Sequence, residues 1–314
     1  MKQTARAFPT MVTPYTKEGS VDYAAAEKMV EWYWNMGCDG IFASCQSSEI
    51  WFLPEEDRVR LAKCVRDKAA ALAAADPCRP PMIIVASGHV SENFQDQVRE
   101  LTRIARTGVD AVILITNRMD IENTGDEAWI RETEALLREL PDDVPLGLYE
   151  CPYPYKRLLT PAMIRFCRDS GRFRFIKDTC CDAGEIDRRM QLLAGSDLQL
   201  YNANAQTLLP SLQSGAAGYC GVMANFHPQL YVWLCHHFAD QPEKAEEAAD
   251  FLSLSAFTES LAYPITAKYH LSEIEKIPMT LFARSRDEAE FTPYHAMCVR
   301  QMDRAARRLW ETLK

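Results

Sequence analysis

The chain has 314 residues, of which 44 are acidic and 35 are basic, so its formal net charge is −9 at pH 7. This balance argues against nucleic acid as the main partner, because phosphate binding needs clustered lysines and arginines. The hydrophobic fraction of 47% is that of an ordinary globular protein with a large core. No apolar run approaches the roughly 20 residues that cross a bilayer, so we expect no membrane partner.

The cysteines and the N-terminus bear on the cellular compartment. The chain has 11 scattered cysteines and no C-x-x-C pair, so neither a zinc knuckle nor a thioredoxin-type site is indicated. The segment from Met1 to Met11 lacks the apolar core of a signal peptide. We therefore predict a reduced, cytoplasmic protein in which most thiols act as small core hydrophobes.

Short apolar runs alternate with amphipathic stretches along most of the chain. Each run is four to eight residues long and is bounded by Gly, Pro, Asp or Asn, which is typical of buried parallel strands. The eight predicted strands are Ala7–Val12, Gly40–Ala43, Met82–Ala86, Ala111–Thr116, Pro145–Tyr149, Phe173–Lys177, Leu198–Tyr201 and Ala217–Val222.

Helix signals stand between these runs. Ser20 and Asp22 are both predicted N-caps for the helix Tyr23–Met36, which Gly37 ends, and Ser91 is a predicted N-cap for one that Gly108 ends. Eight strands alternating with helices predict an α/β fold, a closed (β/α)₈ TIM barrel. A doubly wound open sheet is the alternative. It would need a glycine-rich phosphate turn after an early strand, and the sequence has none.

The alternation stops after Val222. Three helices are predicted beyond it, namely Pro228–Asp240, Glu243–Ser260 and Pro293–Leu313. We therefore divide the chain into a catalytic barrel domain, residues 1–225, and a C-terminal helical appendage, residues 226–314. No Ser/Gly-rich linker separates them, so the appendage is predicted to pack directly on the barrel.

Lys177 is the first candidate for a catalytic residue. Period-two alternation on the sixth strand predicts that Phe173, Phe175 and Lys177 share one face, at the strand end where active sites of this fold lie. Burying an ammonium is costly, and a lowered pKa would give a neutral amine, which forms Schiff bases with ketones. The alternative is a strand-end lysine that extends into solvent, and position alone favours this alternative.

Two further groups stand at neighbouring strand ends. Tyr149 ends the fifth strand, so it is predicted to lie beside Lys177 as a proton carrier, with a tyrosine at the rim of the core as the alternative. The polar turn Ser44–Glu49, after the second strand, offers hydroxyls and backbone N–H groups to a substrate carboxylate, or acts as an ordinary helix cap. Tyr149 and Lys177 together are more informative than either residue alone.

Four motifs resemble those of the dihydrodipicolinate synthase / N-acetylneuraminate lyase family of pyruvate-handling Schiff-base barrels. Cys45–Glu49 (C-Q-S-S-E) corresponds to the family's G-T-T-G-E or G-S-T-G-E after strand two, and Tyr149–Pro152 (Y-E-C-P) to its Y-N-x-P. Phe175–Asp178 (F-I-K-D) corresponds to G-I-K-D/E, and Gly215–Asn225 to the strand-eight signature G-x-x-G-x-I-S-x-x-A-N. Order and spacing agree along essentially the whole chain from about Phe8.

The resemblance implies a role for each matching residue. Lys177 would form the imine with pyruvate or another 2-oxo acid, and Tyr149 would carry the proton during C–C bond making or breaking. The other implied substrate-binding residues are Gln46, Ser47 and Ser48 in the turn that holds the carboxylate, Asn204 near the site mouth, and Cys220, whose carbonyl would face the imine.

The chain departs from the family's synthases of lysine biosynthesis at two places. Pro154 stands where they carry an arginine that grips the distal carboxylate of the aldehyde, with Lys156 and Arg157 close by as substitutes. Arg118 and Met119 stand where they carry a tyrosine pair that is lent to the neighbouring subunit. Both departures argue against dihydrodipicolinate synthase activity.

We predict a class I aldolase or lyase that acts on pyruvate or a 2-oxo acid through Lys177, with no cofactor and no metal. One alternative is a dehydratase or hydratase-aldolase that uses the same imine on a sugar-acid derivative. Another is a catalytically silent paralogue that binds a 2-oxo acid, which the replacement of two motif glycines by Cys45 and Ser48 favours and the retained Tyr149 and Lys177 oppose. The resemblance also implies a homotetramer built as a dimer of dimers.

Overall fold

The computed structural model describes residues 4–314, and eight parallel strands run through this part of the chain. Each strand overlaps one of the predicted apolar runs. The strands are β1 (Arg6–Pro9), β2 (Gly40–Phe42), β3 (Ile83–Ala86), β4 (Ala111–Ile115), β5 (Leu146–Tyr149), β6 (Phe173–Asp178), β7 (Gln199–Asn202) and β8 (Gly218–Gly221).

The sheet closes on itself to form a barrel. Neighbouring strands pair in parallel in the order β1-β8-β7-β6-β5-β4-β3-β2. The two strands at the ends of this order meet through a parallel bridge between Thr10 and Phe42, and the Met11 N–H donates to the Phe42 carbonyl at 3.1 Å. The predicted (β/α)₈ TIM barrel is confirmed, and the alternative of a doubly wound open sheet is wrong.

Helices follow the strands and cover the outside of the barrel. They are α1 (Tyr23–Asn35), α2 (Glu55–Ala75), α3 (Phe94–Ala105), α4 (Asp126–Glu139), α5 (Pro161–Asp169), α6 (Ala183–Leu193), α7 (Leu208–Gln213), α8 (Pro228–His237), α9 (Pro242–Ser255), α10 (Ile265–Tyr269) and α11 (Pro293–Leu313).

The predicted N-caps Ser20, Asp22 and Ser91 have different outcomes. Asp22, and not Ser20, caps α1, since its carboxylate accepts the N–H of the third residue that follows it at 2.9 Å. Ser91 does not cap α3, because its hydroxyl donates to Glu100 at 2.8 Å instead. Asn93 is the N-cap, and its side-chain oxygen accepts two backbone N–H groups of the first turn. Ser91 and Asn93 are both common N-cap residues, and because Ser91 is hydrogen-bonded to the buried Glu100 carboxylate, Asn93 caps the helix.

A bulge in β6 changes which side chains point inward. Leu146 of β5 pairs with Phe173, and the next residue, Gly147, pairs with Phe175, so Arg174 is an extra residue in the strand. Phe173 therefore packs between the barrel and its helices, whereas Phe175 packs inside the barrel. The prediction that Phe173 shares a face with Phe175 and Lys177 is wrong, because a bulge breaks the period of two.

The barrel interior below the strand ends is filled by aromatic rings. Phe175 and Tyr201 stack with their centroids 4.4 Å apart. Phe8 meets both rings edge-on, at 5.5 Å from Phe175 and 4.9 Å from Tyr201. Since side chains two apart on a strand share a face, this layer forms an apolar floor one step below Lys177.

The C-terminal helices continue the packing around the barrel. α8 packs against β1 and β8 as the eighth outer helix. α9 ends at Ser255 and is followed by a 3₁₀ turn, Ala256–Ser260, so the predicted helix Glu243–Ser260 is not continuous. The hydroxyls of Ser255 and Thr258 each bond to the carbonyl three residues earlier, which favours this tighter turn. The domain boundary at residue 225 stays a prediction.

Candidate active site

A cavity of about 410 Å³ opens at the carboxyl ends of the barrel strands. Active sites of TIM barrels lie at this end, because the eight βα loops surround it there. The cavity is lined by six of the predicted site residues, namely Gln46, Ser47, Tyr149, Lys156, Lys177 and Asn204.

Lys177 and Tyr149 stand side by side at the base of this cavity. They are paired across β5 and β6, and the Lys177 Nζ lies 4.0 Å from the centroid of the Tyr149 ring. Lys177 is 4% exposed, so the alternative in which it extends into solvent is wrong. Within residues 4–314 its amine makes no hydrogen bond and no ion pair, which leaves the nitrogen available to a ligand.

Burial favours the neutral, protonated forms of the thiols and the phenol around the Lys177 amine. Burial raises the pKa of the Cys45, Cys151 and Cys220 thiols, and the nearby charge of Lys177 offsets only part of that increase. Burial also raises the pKa of Tyr149 well above its usual value. Tyr149 is therefore a neutral phenol near pH 7.

The residues that follow Tyr149 and Lys177 belong to a buried ionic triad. Glu150 follows Tyr149 and Asp178 follows Lys177, and the guanidinium of Arg189 on α6 contacts both carboxylates, at 2.7 Å from Glu150. All three side chains are at most 2% exposed. Burial and the charge of Asp178 raise the pKa of Glu150, and Arg189 opposes this increase. The triad thus connects the ends of β5 and β6 to one helix. The sequence analysis missed it, because no local spacing relates α6 to these strands.

The turn after β2 is a single 3₁₀ turn, Gln46–Ser48, at the rim of the cavity. The Ser47 hydroxyl lies 3.0 Å from the hydroxyl of Thr10. The Gln46 side-chain oxygen accepts from the Trp51 indole at 2.8 Å, and its amide nitrogen has no partner in the described chain. An amide nitrogen and a hydroxyl that face the same cavity form a suitable donor pair for a carboxylate.

The remaining predicted substrate-binding residues, Ser48, Cys220 and Asn204, are buried or are hydrogen-bonded within the protein. Ser48 does not line the cavity, because its hydroxyl lies 2.7 Å from the Met11 carbonyl and holds the turn in place. Cys220 is buried in the barrel interior below the cavity. Asn204 lines the cavity, but its side-chain oxygen accepts the N–H of Thr207 at 2.9 Å.

Lys156 and Arg157, the two predicted substitutes for the family's arginine, differ in whether they line the cavity. Lys156 lines the cavity mouth, where its ammonium donates to the Thr179 carbonyl. Arg157 does not line the cavity, since its guanidinium lies 3.2 Å from Asp126 and 3.4 Å from Asp120. Two carboxylates thus hold Arg157 away from the site, and of this pair Lys156 is the residue that a ligand can reach.

The sequence analysis also missed the contribution of the C-terminal region. Glu259, Tyr263, Ser285 and Arg286 line the cavity. Glu49 joins this region to the turn after β2, because its buried carboxylate accepts the Ser285 N–H at 2.7 Å and pairs with Lys268 at 3.0 Å. The signal in the sequence was Glu49 itself, the last residue of the motif after strand two.

In the described chain, one group of three side chains has the spacing of a metal site, and it lies outside this cavity. His270, Glu275 and Asp303 bring their ligand atoms within 4.8 Å of one another. The guanidinium of Arg307 already lies 2.7 Å from Glu275 and 2.9 Å from Asp303. Because this cation neutralises the carboxylates, the group is a structural ion-pair network.

Comparisons with known proteins agree with this fold. The family model described as the dihydrodipicolinate synthetase family matches residues 3–279, and the chain belongs to this family. The family's members are lyases of the aldolase type. In residues 4–314, no helix has the length and apolar character needed to cross a membrane.

Curated relatives are similar over most of their length. The 4-hydroxy-tetrahydrodipicolinate synthase of Methanothrix thermoacetophila is 25% identical over 289 residues, which cover 90% of this chain and 92% of the relative. The enzyme of the same name from Clostridium tetani is 25% identical over 285 residues, with 89% and 91% covered.

Solved structures show the same fold. Dihydrodipicolinate synthase from Acinetobacter baumannii, in complex with pyruvate, matches with a TM-score of 0.82 and 20% identity, over 97% of this chain and 99% of that one. The prophage protein YagE from E. coli K12, also in complex with pyruvate, matches with a TM-score of 0.81 and 20% identity, over 97% and 98%. At this identity the likeness concerns the fold alone.

Proposed function

We propose that this protein is a lyase that forms a Schiff base between Lys177 and pyruvate or a related 2-oxo acid. The observation that carries the proposal is a buried primary amine, without an ionic partner in residues 4–314, that faces an open cavity beside a tyrosine. Buried lysines are rare unless they are paired, so an unpaired one at a strand end has a chemical rather than a structural purpose. The two similar structures that contain pyruvate support the choice of ligand.

The proposed binding mode assigns one wall of the cavity to each part of the ligand. Gln46 and Ser47 would bind the carboxylate of the 2-oxo acid, which directs the adjacent ketone towards Lys177. Tyr149, as a neutral phenol beside the amine, would donate a proton during imine formation and at the carbon next to the imine.

We propose further that aspartate semialdehyde is not the physiological partner. Pro154 stands at the family's arginine position, and Arg157 is held by two aspartates. The cations at the mouth are instead Lys156 and Arg286. A different set of cations favours a different aldehyde, because a bidentate contact to a carboxylate depends on its geometry. Comparing the semialdehyde with a panel of other aldehydes in a pyruvate-consumption assay tests this point, and preferred turnover of the semialdehyde would contradict it.

The homotetramer and the cytoplasmic location are part of this proposal. The family resemblance motivates both. Sedimentation velocity at micromolar concentration tests the assembly, and a monomer would contradict the predicted tetramer.

The experiment that tests the proposal is reductive trapping. The full-length protein is incubated with pyruvate and borohydride, and intact mass and peptide mapping locate the adduct. We expect one reduced pyruvate adduct per chain, on Lys177. A protein that stays unlabelled, or that carries its label on another lysine, would overturn the proposal.

Tyr149→Phe is expected to retain the trapped adduct but to lower kcat by about 10²-fold or more, the usual loss for a positioned proton carrier. The phenyl ring keeps the packing beside Lys177, so a fall in rate reports the missing hydroxyl. Steady-state kinetics of pyruvate release, run beside the trapping assay, measure both quantities. Unchanged turnover would remove Tyr149 from proton transfer.

A further inference from the structure

Trp51 fixes the orientation of the Gln46 side chain at the rim of the cavity. The Trp51 indole donates to the Gln46 side-chain oxygen at 2.8 Å, and the Cys151 thiol donates to the same oxygen at 3.4 Å. An indole N–H can only donate, so the atom that faces it must be the amide oxygen and not the amide nitrogen. Burial raises the pKa of Cys151 to about 11, so this thiol also keeps its proton near pH 7.

The same contacts decide what Gln46 offers to a ligand. Its oxygen is occupied by Trp51 and Cys151, whereas its amide nitrogen has no partner within residues 4–314. Gln46 lines the cavity, so the two N–H groups of this nitrogen are left for a ligand there. A glutamine that rotates freely would offer its oxygen as readily as its nitrogen, and that oxygen would repel a carboxylate. The indole of Trp51 removes this second orientation.

Trp51 is itself held by side chains from two other turns. The guanidinium carbon of Arg118 lies over the Trp51 ring, 5.2 Å from its centroid. The ring of Tyr153 meets the Trp51 ring edge-on, with the two centroids also 5.2 Å apart. Trp51 is half-buried and packs against the side chains of the barrel interior. It does not line the cavity, so it can act on a ligand only through Gln46.

Arg118 carries a buried charge with a weak ionic contact. Its side chain is 3% exposed, and its ionic contact is with Glu92, at 3.8 Å, whose own side chain is 75% exposed. The Asn117 side-chain oxygen accepts from Arg118 at 3.1 Å, and the Asn117 amide nitrogen donates to the Tyr153 carbonyl at 3.0 Å. A buried charge without a close counter-ion is costly, and the negative face of the Trp51 ring offsets part of this cost. These contacts join the turns after β2 and β4 to the loop after β5.

We propose that Trp51 is a positioning residue for the substrate carboxylate, and that Arg118 supports this role by holding the Trp51 ring. The inference rests on the proposed function, in which a 2-oxo acid binds with its ketone at Lys177. Trp51 keeps the N–H groups of Gln46 available to the carboxylate, and a correctly held carboxylate places the ketone at the amine. A side chain that offers only donors selects an ionised carboxylate, because both of its oxygens accept.

The test measures reductive trapping of the full-length protein as a function of pyruvate concentration, with cyanoborohydride as the reductant and intact mass as the readout. The half-saturating pyruvate concentration reports binding of the carboxylate, whereas the limiting rate of trapping reports the chemistry at Lys177. Trp51→Phe keeps an aromatic ring and removes the N–H donor. It is compared with Gln46→Leu and with the double variant. Trp310→Phe is the control, because Trp310 is half-buried on α11, outside the cavity.

We expect Trp51→Phe to raise the half-saturating pyruvate concentration about 10-fold, the usual effect of losing one hydrogen bond to a charged group, and to leave the limiting rate unchanged. In the Gln46→Leu background the same substitution should have no further effect, because Trp51 acts through Gln46. Arg118→Met should raise the half-saturating concentration about threefold, and it should add nothing to Trp51→Phe. Trp310→Phe should match the wild type.

An unchanged half-saturating concentration in Trp51→Phe would overturn the role of Trp51, as would a change confined to the limiting rate. Additive effects of Trp51→Phe and Gln46→Leu, or an equal effect of Trp310→Phe, would also overturn it. If Trp51→Phe fails to fold, Gln46→Leu decides the matter, since wild-type saturation in that variant would remove Gln46 from carboxylate binding and Trp51 with it. All these outcomes leave the adduct on Lys177 in place, whereas a wild type that stays unlabelled would overturn the proposed function itself.

Discussion

Lys177→Met is expected to abolish the trapped adduct and to lower kcat/KM by roughly 10⁴-fold or more, because it removes the amine that we propose forms the covalent intermediate. Methionine has a similar length and no charge, so the buried site at the end of β6 stays filled. Since a buried ammonium without an ionic partner costs free energy, we expect the variant to be as stable as the wild type or more stable. Urea unfolding and pyruvate-release kinetics measure the two effects.

Lys156→Met is the matched control for this experiment. Lys156 lines the same cavity, but it is exposed at the mouth, and its ammonium binds a backbone carbonyl. This variant should keep the adduct on Lys177. A Lys177→Met protein that still carries a reduced adduct would show that another amine forms the imine.

Arg189→Met is expected to lower the free energy of unfolding by about 3–5 kcal/mol, the usual cost of removing one partner from a buried ion pair. The substitution leaves Glu150 and Asp178 as two adjacent buried carboxylates without a cation. Protonation would relieve their repulsion, so the loss of stability should be smaller at pH 5 than at pH 8. The sign follows because a carboxylate whose folded-state pKa lies above its unfolded value loses stability as the pH rises.

The neighbouring residue on α6 provides the control. Arg188 contacts Glu185 at 2.7 Å, but its side chain is 65% exposed. Arg188→Met should therefore change the stability by no more than about 1 kcal/mol, as is usual for surface ion pairs. Equal urea midpoints for the two variants would show that the triad is not important for stability.

The strand pattern and the placing of Tyr149 and Lys177 at neighbouring strand ends followed from the sequence, because both depend on the alternation of apolar runs with helices. The eight apolar runs predicted the eight strands, and the register of β5 and β6 places Tyr149 beside Lys177 as expected. Ser91 and Arg157 were misjudged for a common reason. Each has a carboxylate partner on a helix outside its own local motif: Glu100 on α3 for Ser91 and Asp126 on α4 for Arg157, and these pairings depend on how the helices pack.

The C-terminal residues that line the cavity could not be predicted from local sequence patterns. Glu259 lies 82 residues after Lys177, in a turn with no recognisable motif. Its position depends on how the turn packs against the segment after β8 and on the hydroxyl of Thr258. Periodicity can assign such a residue to a helix or a turn, but it does not tell which cavity the residue faces.

The bulge at Arg174 has a consequence for how this strand tolerates insertions and deletions. Because Arg174 is an extra residue, the alternation between inward-pointing and outward-pointing side chains in β6 shifts by one position at this point. Lys177 points inward because it lies two positions after Phe175, whose side chain also points inward. A one-residue deletion between these two positions would turn the amine away from the cavity, whereas deleting Arg174 would leave Phe175 and Lys177 in phase and reverse only the residues before them. Gain or loss of single residues is therefore expected to be tolerated at the start of β6 and not at its end.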